Sequence, residues 1–171
     1  LRALDYGESD RIVTFYTEDF GKLKGIAKGA KRSKRRFVNA LEPFSCLEVL
    51  FSRRGRNALA LIEDCTPIRH YASVRADLER TLVASYLIDL ADQFTPEGKT
   101  ETEIYRLLAG FLDLVSEGPI SEHLRRFFEL RLLKLTGYEP VLDRCLSCRA
   151  PLDPQRTYRF FPQDGGVKCG R

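Results

Sequence analysis

With 171 residues and 43% hydrophobic content, the chain can bury a core of its own, which excludes wholesale disorder. Charged residues make up 30%, and no run approaches the roughly 18 consecutive apolar positions of a bilayer helix, so a soluble protein is expected. The net charge of +4 is unevenly spread: residues 1–66 hold 13 Lys and Arg against 9 Asp and Glu, whereas residues 67–171 hold 15 against 15, which points to an anionic partner for the first part. Five cysteines, three of them at metal-ligand rather than disulfide spacing, favour a reducing cytoplasm over secretion. With no Met and no basic-then-apolar leader, the chain reads as clipped.

From the front, residues 11–65 read as short strands between turn signals. Arg11–Thr17 is β-branched and aromatic, and Gly21–Lys28 alternates in part. Phe44–Phe51 places Leu47, Val49 and Phe51 on one face and Glu48 on the other. Ala58–Asp64 follows the polar link Arg53-Arg54-Gly55-Arg56-Asn57, which suits a hairpin. At least four antiparallel strands are expected, with a fifth lost before Leu1, in a small closed barrel that leaves no exposed edge.

After Pro67 the apolar period changes to about 3.6. Leu78, Leu82, Val83, Tyr86, Leu87, Leu90 and Phe94 predict an amphipathic helix capped by Ser73. Thr100 with Glu103 predicts a capping box before Ile104, Leu107, Leu108, Phe111, Leu112 and Val115, and Gly118-Pro119 ends that helix. A third helix is expected over Ser121–Thr136, stopped by Gly137 and Pro140, making a compact bundle. Beyond Pro140 the composition shifts to Cys, Pro, Gly and Arg. The expected organisation is α+β and multidomain: a nucleic-acid-binding barrel over residues 1–66, a helical partner-docking domain over 67–140, and an incomplete zinc-binding segment over 141–171.

Eight basic residues and no acid lie between Phe20 and Leu41: Lys22, Lys24, Lys28, Lys31, Arg32, Lys34, Arg35 and Arg36. Even numbering puts the first three on one strand face. Such a run repels itself and adds nothing to folding, whereas a phosphate backbone neutralises it and releases counterions. Arg53, Arg54 and Arg56 extend the track. Phe15, Tyr16 and Phe37 lie close in sequence and offer either base-stacking platforms or barrel core.

Cys145-Leu146-Ser147-Cys148 and then Cys169 supply three of the four ligands of a tetrahedral zinc site, with the fourth expected at position 172. A structural metal suits a segment with few apolar residues; three reduced thiols without metal is the second reading, and a catalytic zinc the third. His70 and His123 are read as helix-surface residues, and Cys46 and Cys65 as core thiols. In Leu124-Arg125-Arg126-Phe127-Phe128-Glu129-Leu130-Arg131, the pairs Glu122/Arg126 and Arg125/Glu129 describe a salt-bridged solvated face; the same residues also suit a pocket for an acidic, aromatic-ended peptide.

Taken in order, Asp5-Tyr6-Gly7-Glu8-Ser9-Asp10-Arg11-Ile12-Val13-Thr14, Ala27-Lys28-Gly29-Ala30-Lys31-Arg32, Leu41-Glu42-Pro43-Phe44, Leu124-Arg125-Arg126-Phe127, Leu135-Thr136-Gly137-Tyr138 and the CxxC resemble the RecO family over nearly the whole chain. The resemblance implies an N-terminal OB-fold, a helical central domain and a zinc knuckle that some members lack. It implies a DNA repair and recombination mediator that binds single- and double-stranded DNA, anneals complementary strands, works with RecR, and helps load RecA onto strands coated by single-stranded DNA-binding protein (SSB). The SSB tail would dock at Arg125 and Arg126, and the protein would be cytoplasmic and nucleoid-associated. Against the family pattern the first strand, the fourth Cys and a C-terminal continuation are missing. No P-loop, nucleophile–base pair or spaced carboxylates suggest an enzyme. The rival readings are an RNA-binding OB and zinc-ribbon protein of translation or transcription, and a zinc hydrolase.

Overall fold

Alternating apolar residues build the first layer of the molecule. The computed structural model describes residues 2–33, 36–37, 40–55 and 58–170. Five strands, β1 (Arg2–Tyr6), β2 (Asp10–Thr17), β3 (Gly21–Ala27), β4 (Ser45–Ser52) and β5 (Ala60–His70), form one sheet in the order β1-β2-β3-β5-β4. Three neighbour pairs are antiparallel, but β3 and β5 run parallel, through Gly25–Ala27 against Ala60–Ile62. This is an OB-fold. Three expectations are corrected here. The strands are not all antiparallel; the fifth strand is present as Arg2–Tyr6; and, among the described residues, no pairing of β1 with β4 closes the barrel.

Burial follows the alternation. Leu23 and Ala27 of β3 point inward, Lys24 outward, and in β4 Leu47, Val49 and Phe51 are the sheltered side against exposed Glu48 and Leu50. The segment between β3 and β4 packs Phe37, Ala40 and Leu41 against the sheet, in one cluster with Val13, Ala27, Ile62 and Cys65. Truncating a buried ring such as Phe37 costs about 3–5 kcal/mol. Strand β5 runs beyond Pro67, because a register shift between Cys46 and Leu47 accommodates a residue with no N–H to donate.

The helical residues begin with a break that periodicity alone does not show. Helix α1 (Ala72–Ala76) is separated from α2 (Leu78–Phe94) at Asp77, whose carboxylate accepts the Arg80 N–H at 2.9 Å as the N-cap of α2. Ser73 is no cap: it lies inside α1 and its hydroxyl bonds the Ser116 carbonyl at 3.0 Å. Helix α2 buries Val83, Ala84, Leu87 and Ala91, while Leu78 and Leu82 stay exposed. Helix α3 (Thr102–Glu117) buries Ile104, Leu108, Phe111 and Val115 as their spacing predicts. Its capping box does not form; the Thr100 hydroxyl donates to the Asp19 carbonyl instead, at 3.0 Å.

The chain divides into two compact units, Leu1–Arg125 and Arg126–Arg171. Within the first, the β2–β3 turn is clasped by the α2–α3 connection. Gly98 N–H donates to the Lys22 carbonyl at 2.9 Å, Thr102 Oγ1 to the Glu18 carbonyl at 3.2 Å, and Arg106 Nε meets Glu18 Oε1 at 2.7 Å. Gly21, at φ +67°, lies under this connection, and an added Cβ would fall 1.8 Å from the Lys99 carbonyl oxygen. At the other end of the sheet, Tyr71 Oη donates to Asp113 Oδ1 at 2.8 Å and Arg69 pairs with the same carboxylate, tying β5 to α3. In the second unit, helix α4 (Glu122–Leu135), which crosses the unit boundary, is followed by a cysteine turn and a hairpin of β6 (Tyr158–Phe161) and β7 (Gly166–Cys169).

Gly21→Ala is expected to cost about 3 kcal/mol or more, since it adds a backbone clash to left-handed strain. Gly29→Ala, at φ +69° with nothing within 4 Å of its new methyl, is expected to cost only about 1–2 kcal/mol. Urea midpoints of the two variants test the contrast; equal losses would refute the clasp. Burial by itself raises the Asp113 pKa, but its bonds from Arg69 and Tyr71 outweigh this and hold it below the ordinary 3.8. A depressed carboxylate contributes above its unfolded pKa and loses its contribution as pH falls through the folded value. The stability difference between wild type and Asp113→Asn is therefore expected to hold down to about pH 5 and to shrink from there as pH falls through the folded value, as read from denaturant curves at each pH.

Candidate nucleic-acid interface and metal centre

The basic run of the first unit is acid-free only in sequence. Lys22 and Lys24 alternate outward on β3 as expected, but acids from elsewhere in the fold meet them. Lys22 Nζ lies 2.9 Å from Asp92 Oδ1, with the two side chains only 14% and 16% exposed, and it also bonds the Asp92 carbonyl at 2.7 Å. Lys24 pairs with Glu97 at 2.8 Å, Lys31 with Asp5 at 3.1 Å, and Arg32 with Glu8 at 3.6 Å. The expectation that folding gains nothing from this run is thus corrected: removing one partner of the sheltered Lys22–Asp92 pair costs on the order of 3 kcal/mol. The exposed Arg32–Glu8 pair contributes about 0–1 kcal/mol and leaves Arg32 open to other anions.

Arg36 is also held by the fold. It donates to the Lys28 and Glu63 carbonyls at 3.3 and 3.4 Å, and its guanidinium lies 5.0 Å from the centre of the Phe37 ring. Lys34, Arg35 and Arg56 lie outside the described residues. Among the described residues, Lys28, just after β3, and Arg53 and Arg54, in the turn between β4 and β5, close no ion pair, although Asp10 lies near enough to Lys28 to feel its charge; Lys28 and Arg54 are exposed. That turn is one of the two OB-fold loops that face ligands.

The aromatics near the run are structural. Phe37 is 5% exposed in the barrel core, and Phe15 packs edge-on against Phe51 with ring centres 6.0 Å apart. Tyr16 Oη donates to the Glu101 carbonyl at 3.2 Å, and burial, with a smaller push from the Glu101 charge, raises its pKa to about 12.

The cysteine turn is built by backbone bonds. Cys145 N–H donates to the Ala150 carbonyl, Arg149 N–H returns to the Cys145 carbonyl at 2.8 Å, and Arg149 itself sits at φ +61°. The β6–β7 hairpin carries Cys169 back to this turn. The sulfurs of Cys145, Cys148 and Cys169 all lie within 4.8 Å of one another. Cys145 is buried, and its sulfur accepts the Cys169 N–H at 3.2 Å. Backbone donors at Cys148, then Cys169 and Ser147, lower its pKa to about 6. Cys169 is shifted upward, first by its hydrogen bond to the Cys145 sulfur, so ionisation of Cys145 is set in opposition to ionisation of Cys169. Thiolate-directed amides and sulfurs crowded together suit a metal ion, whose charge removes that opposition. Among the described residues no fourth Cys, His, Asp or Glu joins the group. Neither His70, at the end of β5 rather than on a helix, nor His123, on α4, takes part; Cys65 is core, with its thiol pushed up to about 11 by burial and then by Asp64.

Arg125 and Arg126 are both exposed on α4. Glu129 pairs with Arg126 at 3.0 Å, at i,i+3. Sequence reasoning missed the β6–β7 hairpin, although the aromatic run at Tyr158–Phe161 and the turn residues Pro162 to Gly166 signal one.

An N-terminal OB-fold, a helical part and a cysteine cluster able to hold a metal define a multidomain α+β class of protein. Residues 1–71 match the family model "Recombination protein O N terminal" and residues 75–171 match "Recombination protein O C terminal". The chain is 54% identical over 169 residues to the DNA repair protein RecO of Syntrophus aciditrophicus, covering 99% of this chain and 65% of that relative. It is 43% identical over 172 residues to the protein of the same name from Pelobacter propionicus and 40% over 170 residues to that from Geobacter metallireducens, covering 99% of this chain and 68% of each relative. The chain thus spans about two thirds of the length of these relatives, and it belongs to the RecO family. No helix among the described residues is long and apolar enough to cross a membrane.

The cysteine group is expected to take up Co²⁺ with thiolate-to-metal absorption and proton release. Cys148→Ser is expected to weaken uptake at least about tenfold, in a spectrophotometric titration against a competing chelator. Equal affinity in the variant would remove Cys148 from the site.

Proposed function

We propose that this protein is a non-catalytic mediator of DNA repair that holds single- and double-stranded DNA on its OB-fold and brings complementary strands together. The observation that carries this reading is the exposure of Lys28 and Arg54, with Arg53 next to Arg54 in sequence, as cations that close no ion pair among the described residues. A folded protein gains little from leaving such groups unpaired, whereas each phosphate they neutralise releases condensed counterions. Lys31, Arg32, Lys34, Arg35, Arg36 and Arg56 extend the contact. Lys22 and Lys24 act chiefly by holding the OB-fold on its helices.

Neutralising phosphates on two strands lowers their mutual repulsion, and base pairing then supplies the energy of annealing, so no bond is made or broken by the protein. Within this reading, RecR and SSB-coated DNA are the partners through which RecA is loaded. The acidic tail of SSB meets Arg125 and Arg126, both exposed on α4. Zinc, held by Cys145, Cys148, Cys169 and a fourth ligand, acts as a structural staple.

The test is anisotropy of a labelled single-stranded oligonucleotide at several salt concentrations. Lys28→Glu with Arg54→Glu is expected to weaken binding and to flatten the slope of log affinity against log salt by about 0.7 for each phosphate that is no longer neutralised. An unchanged slope would falsify the placement of DNA on this face.

A further inference from the structure

The charge of the chain does not lie where the basic run suggests. Over the first compact unit, residues 1–125, 19 Lys and Arg face 19 Asp and Glu; over residues 126–171, 9 face 5, so the second unit carries the whole excess of +4. Its hairpin shows how that excess is arranged. In the β6–β7 register Arg159 stands directly opposite Lys168, and Phe161 opposite Gly166, so Arg159, Lys168 and Phe161 share one face. Like charges placed directly across a strand pair destabilise it, and a two-stranded ribbon is marginal to begin with.

The fold answers only one of these two cations. Lys168 Nζ lies 2.7 Å from Asp164 and 4.9 Å from the centre of the Phe161 ring, while Arg159 is exposed and has no acidic partner among the described residues. Arg156 lines the same cavity, of about 500 Å³, as Arg159, and its own approach to Asp153 is long, at 3.5 Å, and solvent-exposed. The rings of Phe160 and Phe161 remain 52% and 39% exposed in this short hairpin.

We infer that the β6–β7 hairpin is a second nucleic-acid contact surface, in which Arg159 and Arg156 meet the phosphates of a single strand and Phe161, held from one side by Lys168, stacks against a base. It rests on the reading that the protein binds DNA, but on different residues in the other compact unit. An exposed ring between cations favours a nucleic acid over an acidic peptide, which would use the charges and leave the ring bare; stacking on an aromatic face is sequence-tolerant because every base has one.

The experiment titrates the full chain with labelled oligothymidine across a range of salt, comparing Arg159→Glu, Arg159→Lys, Phe161→Leu and the OB-fold variant Lys28→Glu/Arg54→Glu. Arg159→Glu is expected to weaken binding and lower the salt slope by about 0.7, while Arg159→Lys retains both. Phe161→Leu, which keeps an apolar side chain but no ring face, is expected to weaken binding about fivefold or more with the slope unchanged. The inference is overturned if Arg159→Glu leaves affinity and slope as they were, or if Arg159→Lys loses as much as the reversal. Polyglutamate binding that responds to Arg159→Glu while oligothymidine binding does not would also overturn it, in favour of a peptide. A slope that responds to Arg159 and not to Lys28/Arg54 sinks the OB-fold placement and keeps the hairpin; the reverse result does the opposite.

Discussion

Lys22 reaches from β3 into the last turns of α2, where its ammonium meets both the carboxylate and the backbone carbonyl of Asp92. A helix C-terminus carries unsatisfied carbonyls and partial negative charge, so a cation there is favoured on two counts. Arg2 of β1 reaches Asp89 and Asp92 at 3.1 and 3.2 Å, and the α2–α3 connection then closes over Gly21. The placement of the OB-fold sheet on its helices depends on this junction. Without a glycine at Gly21 the connection could not approach, and without Lys22 the acids of α2 would be sheltered with one cation fewer.

A second junction explains the stretches that carry the family likeness. Asp10 accepts the Gly29 N–H at 2.8 Å, Lys31 N–H donates to the Ser9 carbonyl, and Lys31 Nζ reaches both the Gly7 carbonyl and Asp5. The Gly29 bond lowers the Asp10 pKa first, with Ser9 adding to it. Two motifs about twenty residues apart are therefore one piece of structure, the β1–β2 turn locked to the end of β3. Lys28 sits inside the second motif, yet this lock closes no ion pair with it, and its charge acts on Asp10 only from a distance.

The second unit solves a different problem. Between Pro140 and Cys169 it has few large apolar residues to bury, and its order comes from backbone bonds of the cysteine turn, from the hairpin and from three convergent sulfurs. Order that comes from backbone bonds and a short ladder does not call for apolar side chains on the ribbon's faces. That frees Arg159, Phe160 and Phe161 to face solvent.

Local pattern was enough to read strands β2 to β5, the buried face of α3, the stop at Gly137 and the grouping of the three cysteines, because each depends on spacing along a few turns or strands of chain. The family likeness was legible for the same reason, as short motifs in order. Four things were decided only in three dimensions. Pairing of β3 with β5 is parallel because the chain crosses over between them, which no alternation reports. The break at Asp77 arises where a carboxylate caps a new helix inside an unbroken apolar period. The acids that neutralise Lys22, Lys24, Lys31 and Arg32 come from residues 5–8 and 92–97, so counting charge along the run located it but misjudged which cations stay free. The facing of Arg159 and Lys168 needs the hairpin register, a relation between strands that composition does not contain. Charge is a property of the chain, whereas whether that charge is answered is a property of the fold.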